Sequence, residues 1–247
     1  MAILPGTPLE LFVYGFVAAK PGQPMEVEVA IPLGDGGHIS GILTAPDDPR
    51  ACYIVAHGAG AGMRHKFMAD VAGGLGERGI ATLRYQFPYM EKGGKRPDPP
   101  KIAHAAVRAA VAKASELLPK LPLIAGGKSF GARMTSQTQA ETPLPNVRGL
   151  AFLGFPLHPP GQPGDTRAEH LSRVKVPTLF LQGTRDDFAD LDYLKPLTKR
   201  LGDLATLKLF ECADHSFHVP AKSGRKDVEI MAEMLDVLAA WTATICA

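Results

Sequence analysis

The stretch that decides the reading is LPLIAGGKSFGAR, Leu121–Arg133. Its apolar opening reads as a strand over Leu123–Gly127, and Phe130–Glu141 reads as a helix. Between them Gly127-Lys128-Ser129-Phe130-Gly131 matches G-x-S-x-G, a sharp strand-to-helix turn that lifts a serine hydroxyl clear of a sheet. The glycines have a steric reason. In so tight a turn, a Cβ two residues either side of the serine would meet the neighbouring strand or helix. The helix N-terminus beside the serine favours negative charge. Serine is also a common helix cap, so the turn alone does not establish chemistry.

Outward from this turn, short apolar runs alternate with helical stretches. Strands are expected at Met25–Ile31, Ile39–Thr44, Ala51–Ala56, Ile80–Tyr85, Val147–Gly154, Thr178–Gly183 and Thr206–Phe210. Helices are expected at Phe67–Arg78, Lys101–Leu118 and Asp227–Ala243. Strands separated by helices of ten or more residues imply βαβ units and a mostly parallel, doubly wound sheet. The first two strands are joined too closely for a crossover, so they pair antiparallel. Two Pro- and Gly-rich loops, Phe87–Pro100 and Phe155–Asp165, follow strands and fall where such sheets bind ligands.

A serine nucleophile needs a base, and the base needs a carboxylate to fix its tautomer. In this arrangement they follow in the order serine, acid, histidine. Asp186 stands just past the strand Thr178–Gly183, with Asp187 and Asp190 as rivals in the same loop. His215 lies between the last strand and the last helix, with His218 as its rival. The glycine-rich loop His57–Gly62 follows the strand Ala51–Ala56, so the N–H groups of Ala59 and Phe130 are the expected oxyanion donors. His57 is expected to brace that loop. Phe87, Tyr89, Phe155, Phe188 and Phe217 are candidates to wall an apolar substrate pocket, with His158 at its mouth. Core packing is the alternative for each. His38, His104 and His170 read as surface residues.

Other chemistries fit poorly. A P-loop ending at Gly127-Lys128-Ser129 would need glycine at 122, where Pro122 stands. Gly58–Gly62 spells G-x-G-x-G, not the dinucleotide fingerprint. There is no H-x-x-x-H motif or clustered ligand set, so neither a metal nor another cofactor is expected.

Together HGAGAG (57–62), GGKSFGAR (126–133), GTRDDF (183–188) and DHSFHVP (214–220) resemble the α/β-hydrolase superfamily, in particular its small lidless members near dienelactone hydrolase. Within these, the chain is similar to hydrolases related to the testis-expressed proteins and to a subunit of a chromatin acetyltransferase complex. The likeness runs from about residue 25 to the C-terminus and takes in FPYMEKG (87–93) and FPLHPPG (155–161). It implies an α/β-hydrolase fold without a lid domain, with Ser129 as nucleophile, Asp186 as orienting acid and His215 as base. Dienelactone hydrolases carry cysteine as nucleophile, and this chain carries serine. The function expected is therefore hydrolysis of a small-molecule carboxylic ester or thioester. A non-catalytic scaffold binding a protein partner is the alternative. The presence of the serine, acid, histidine and oxyanion glycines favours the enzyme.

Composition sets the outer bounds. The chain has 247 residues, of which 45% are hydrophobic and 21% charged, too apolar for intrinsic disorder. Its net charge of +2, without a long basic run, gives no sign of a nucleic-acid partner. No apolar run approaches the roughly 20 residues of a membrane span. Cys52, Cys212 and Cys246 form no CxxC pair and suit a reducing, cytoplasmic setting. Met1–Ala19 lacks an early Lys or Arg and is interrupted by Pro5, Pro8 and Glu10, unlike a signal peptide. Residues 1–24 are expected to be a loosely attached extension to one domain over 25–247.

Overall fold

Met25–Pro32 (β1) and His38–Ala45 (β2) form an antiparallel hairpin in the computed structural model, which describes residues 24–247. Gly36, at φ +83°, supplies the left-handed residue that the connecting turn requires. The extension expected over residues 1–24 lies outside the described residues, except for Pro24. Six further strands follow: Ala51–Ala56 (β3), Ile80–Tyr85 (β4), Leu123–Lys128 (β5), Val147–Leu153 (β6), Thr178–Gly183 (β7) and Ala205–Phe210 (β8). They join one eight-stranded sheet in the order β1-β2-β4-β3-β5-β6-β7-β8, antiparallel at β1-β2-β4 and parallel from β4 to β8.

All six residues of β3 are buried, as are all six of β4 and of β7. Covered on both faces, β3 reads as an unbroken apolar run, whereas β4 also buries Thr82 and Arg84 and β7 also buries Thr178 and Gln182. On one face, Val107 and Val111 of the helix Pro100–Leu117 (α3) and Met134 of Phe130–Glu141 (α4) share a core with Phe152, Phe155 and Phe180. On the other, Met68 and Leu75 of Lys66–Gly76 (α1) and Met234 of Asp227–Cys246 (α6) pack with Tyr53 and Leu181 of the sheet. Each such fully buried large side chain contributes about 1.5–3 kcal/mol.

The chain leaves β3 for β4 on one side and returns to place β5 on the other. β3 is thus the point where strand order reverses, and the carboxyl ends of β3 and β5 open side by side. That crevice is where doubly wound sheets hold ligands. Here it receives the loop after Ala56 and the turn at Ser129.

Three elements differ from the sequence reading. Leu191–Leu201 (α5) is a helix although Pro196 lies inside it; its apolar stripe, Leu194 and Leu197, outweighs the one backbone hydrogen bond that proline removes. Pro88–Glu91 (α2) forms one helical turn within the loop Phe87–Pro100. Thr166–Arg173 winds as a 3₁₀ helix. Two histidines expected at the surface are buried instead. His104 belongs to the inward stripe of α3 with Val107 and Val111, and its ring meets Glu141 at 3.1 Å and Gln137 at 3.3 Å. The Nε2 atom of His170 lies 2.8 Å from the Ser136 hydroxyl on α4. Each ring pairs with a polar group on α4, so burial leaves it bonded.

Candidate active site

Ser129 adopts φ +51°, ψ −111°, outside every basin that a side chain populates freely. The surrounding backbone enforces this. A Cβ added at Gly127 would sit 2.4 Å from the Ala56 carbonyl oxygen, and one at Gly131 would sit 2.5 Å from the same atom. The turn therefore presses against the end of β3 at both its glycines.

The serine hydroxyl points at an imidazole. His215 Nε2 lies 2.9 Å from Ser129 Oγ, and His215 Nδ1 lies 2.7 Å from Asp186 Oδ2. The carboxylate only accepts, so Nδ1 carries the proton and Nε2 offers its lone pair to the hydroxyl. Burial pushes the His215 pKa below its ordinary value. The hydrogen bond to Asp186 opposes that shift, and the nearby Lys128 charge reinforces it. The ring is thus held neutral, the form a base requires.

Asp186 has a fully buried side chain, yet its oxygens are well supplied with donors. The Gln182 side-chain amide and His215 both reach Oδ2, and the Phe188 N–H reaches Oδ1 at 2.8 Å. Its two rivals sit elsewhere. Asp187 is exposed, and Asp190 caps α5 by accepting from the Asp192 N–H at 2.9 Å. His218, the rival histidine, pairs with Asp227 at 2.8 Å on the exposed side of the loop. The acid and base loops are themselves tied together, by Arg185 N–H to the Ala213 carbonyl at 2.8 Å and Cys212 N–H to the Thr184 hydroxyl at 2.9 Å.

The loop after β3 lies against the serine. A Cβ built at Gly58 would come within 3.8 Å of the Ser129 Cβ. Among the described residues, the N–H groups of Ala59 and Phe130 have no hydrogen-bond acceptor, which leaves both available to a ligand. Fully buried His57 braces the loop, donating from Nδ1 to the Gly58 carbonyl at 2.7 Å and accepting the Phe87 N–H at Nε2 at 3.1 Å. Burial lowers its pKa to about 4.

The expected pocket residues fare differently. Phe87 and Phe155 have no exposed surface; they pack in the core, Phe87 against Tyr85 and Phe130 and Phe155 against Phe152 and Phe180. Tyr89 is buried and uses its hydroxyl to accept the Gly60 N–H at 2.8 Å, steadying the loop that carries Ala59. Phe217 is buried between Phe67 and Phe210. His158 spends both ring nitrogens on backbone, meeting the Pro159 carbonyl at 2.8 Å and the Asp190 N–H at 3.0 Å. It lines a surface cavity of about 520 Å³ with Pro160, Asp187 and Asp190, on the acid's side of the site. Phe188 is the aromatic left half-exposed, its ring centroid 4.4 Å from that of His215.

Two residues at the site escaped the sequence reading. Fully buried Gln182 accepts the Phe155 N–H at 2.8 Å while donating to Asp186. Lys128 donates from Nζ to the His215 carbonyl. A polar amide directly after the apolar run Leu179–Leu181 was the available signal for Gln182.

Residues 49–243 match the family model described as an alpha/beta hydrolase domain. The chain belongs to the alpha/beta hydrolase family. Its solved structural neighbours agree in fold. A dienelactone hydrolase from Anabaena variabilis superposes with a TM-score of 0.71 at 20% identity, over 90% of this chain and 99% of that one. A serine hydrolase without a lid from Xanthomonas campestris gives 0.69 at 20% identity, over 91% and 98%. A curated Mycobacterium tuberculosis protein, whose name proposes a phosphoribosyl transferase, is 28% identical over 180 residues, 70% of this chain and 38% of that protein. The chain thus spans 38% of the length of the curated relatives it matches. No helix among the described residues is long and apolar enough to cross a membrane.

Proposed function

We propose that this chain is a serine hydrolase acting on the carboxylic ester or thioester of a small molecule. The observation that carries the reading is the unbroken relay from Asp186 through His215 to Ser129, with contacts of 2.7 and 2.9 Å. Ser129 Oγ attacks the carbonyl carbon as His215 Nε2 takes its proton, and Asp186 steadies the imidazolium. The carbonyl oxygen, now negative, receives the Ala59 and Phe130 N–H groups. One such donor contributes roughly 10²–10³ in rate. Collapse expels the alcohol or thiol, which leaves with the proton held by His215. A water then gives its proton to the same nitrogen and attacks the acyl-serine; the acyl–Oγ bond breaks, Ser129 Oγ takes the proton back from His215, and the acid is freed. No cofactor enters. The half-exposed Phe188 beside His215 offers an apolar wall to one side of the substrate.

Turnover of short p-nitrophenyl esters and thioesters by native and Ser129→Ala protein tests the reading. The proposal expects a loss of about 10⁴-fold or more in the variant. Equal rates in both proteins would instead favour a non-catalytic scaffold.

A further inference from the structure

The side chain of Lys128, the residue before the serine, runs beneath the site and touches both loops that flank it. Its stem lies under the loop after β3, where a Cβ built at Gly58 would be 3.5 Å from the Lys128 Cγ. Its ammonium reaches the loop after β8 and donates to the His215 carbonyl. The charge rests over two aromatic rings, 5.2 Å from the Phe217 centroid and 5.9 Å from that of Phe67. Those rings stack nearly parallel, 5.9 Å apart. The fourth side of the cage is Gly154, at φ +73°, where a Cβ would come 2.7 Å from the Lys128 Nζ. A side chain at 154 would force the ammonium to shift and would strain the backbone at this φ.

We propose that Lys128 is a positioning residue for the base: by clamping the His215 carbonyl inside this cage, it holds the imidazole between Ser129 and Asp186. The inference rests on the hydrolase reading above. Lys128 makes no hydrogen bond to a carboxylate among the described residues; its polar partner is a backbone carbonyl. A cation so placed fixes a loop while leaving Asp186 to the imidazole. Its rings and carbonyl replace part of the water it gives up.

The electrostatics agree. Three ionisable groups face His215: Asp186 and Asp214, which favour its charged form, and Lys128, which opposes it. The same two carboxylates favour the Lys128 ammonium, yet burial dominates and brings its pKa down to about 8. Near neutral pH the cation is therefore mostly present, and it disfavours a second positive charge on the adjoining imidazole.

The test compares native protein with Lys128→Met, which keeps the stem and removes charge and donor, and Lys128→Arg, which keeps both. Two quantities are read against pH: the rate of Ser129 labelling by a fluorophosphonate, and the His215 titration followed by nitrogen-15 NMR. In Lys128→Met the His215 titration and the acid limb of labelling should both move to higher pH. Labelling on the plateau should fall by up to about 100-fold, the scale of a misplacement of the order of 1 Å. Lys128→Arg should return the acid limb toward its native position. A folded Lys128→Met protein with native titration and native labelling rate overturns the proposal. So does a variant that loses labelling with no movement of the His215 titration, since that is a packing defect alone. If Lys128→Met does not fold, the native protein still decides. Its Lys128 ammonium should give a slowly exchanging resonance coupled across the hydrogen bond to the His215 carbonyl carbon, and a freely exchanging ammonium contradicts the clamp. Failure of the native protein to label, with that coupling present, would count against the hydrolase reading and leave the contact standing.

Discussion

Gly131 packs so tightly beneath β3 that a Cβ there would stand 2.5 Å from the Ala56 carbonyl oxygen and 2.7 Å from the Ala56 Cβ. Neither atom belongs to a flexible side-chain end, so the turn must move to admit a methyl group. Gly131→Ala should cost about 1–3 kcal/mol. For a chain of this size that lowers Tm by about 2–4 °C per kcal/mol. Ester turnover should fall further than stability alone explains, because the displaced element carries Ser129. Calorimetry with parallel rate measurements checks this; native values of both would show that the turn has slack.

Asp186→Asn preserves size but gives the imidazole a donor where it had an acceptor. The preferred tautomer of His215 then reverses, and Nε2 can no longer take the serine proton. Turnover should drop by about 10⁴-fold with little change in Tm. Retention of more than a tenth of native activity would show that another carboxylate supplies the orientation.

Gln182→Leu keeps the volume of a buried side chain and removes both its bonds. The Phe155 N–H loses its acceptor and Asp186 loses a donor. An orphaned buried polar group costs about 1–3 kcal/mol, so urea unfolding should show a loss of that order. Activity should fall as well, with the acid less firmly held. An unchanged unfolding midpoint would mean that both groups find other partners.

Stability should depend on acidity through two buried histidines. Burial lowers the pKa of His57, and of His170, from 6.5 to about 4. Both stay neutral in the folded chain at acidities where the unfolded chain binds protons. Stability is therefore fullest above pH 6.5 and declines as pH falls toward 4, by up to about 1.4 kcal/mol per pH unit for each group. Urea titrations between those limits measure the slope, and His170→Gln should reduce it. A flat profile would contradict the assignment of neutral buried rings.

Much of this was legible in the sequence because its physics is local. The Gly127 and Gly131 positions follow from steric need in a tight turn, and the places of Asp186 and His215 follow from their position beyond apolar strands. The misreadings share another cause. Helix α5 was hidden by Pro196, whose cost is outweighed by burial of Leu194 and Leu197, a tertiary effect. Phe87, Phe155 and Phe217 carry no sign in their neighbours of whether they face a pocket or the core. His104 and His170 lacked partners only in sequence; their hydrogen bonds cross from α3 and the 3₁₀ helix to α4. Gln182 and Lys128 likewise act on residues 4 and 87 positions away, and only the folded chain makes those contacts.

The most direct measurement is to treat the native protein with a fluorophosphonate and locate the adduct by peptide mass spectrometry. A relay that makes one hydroxyl uniquely nucleophilic predicts a single adduct on Ser129, abolished in His215→Gln protein. A folded protein that takes up no label, or takes it up on another residue, would contradict the account.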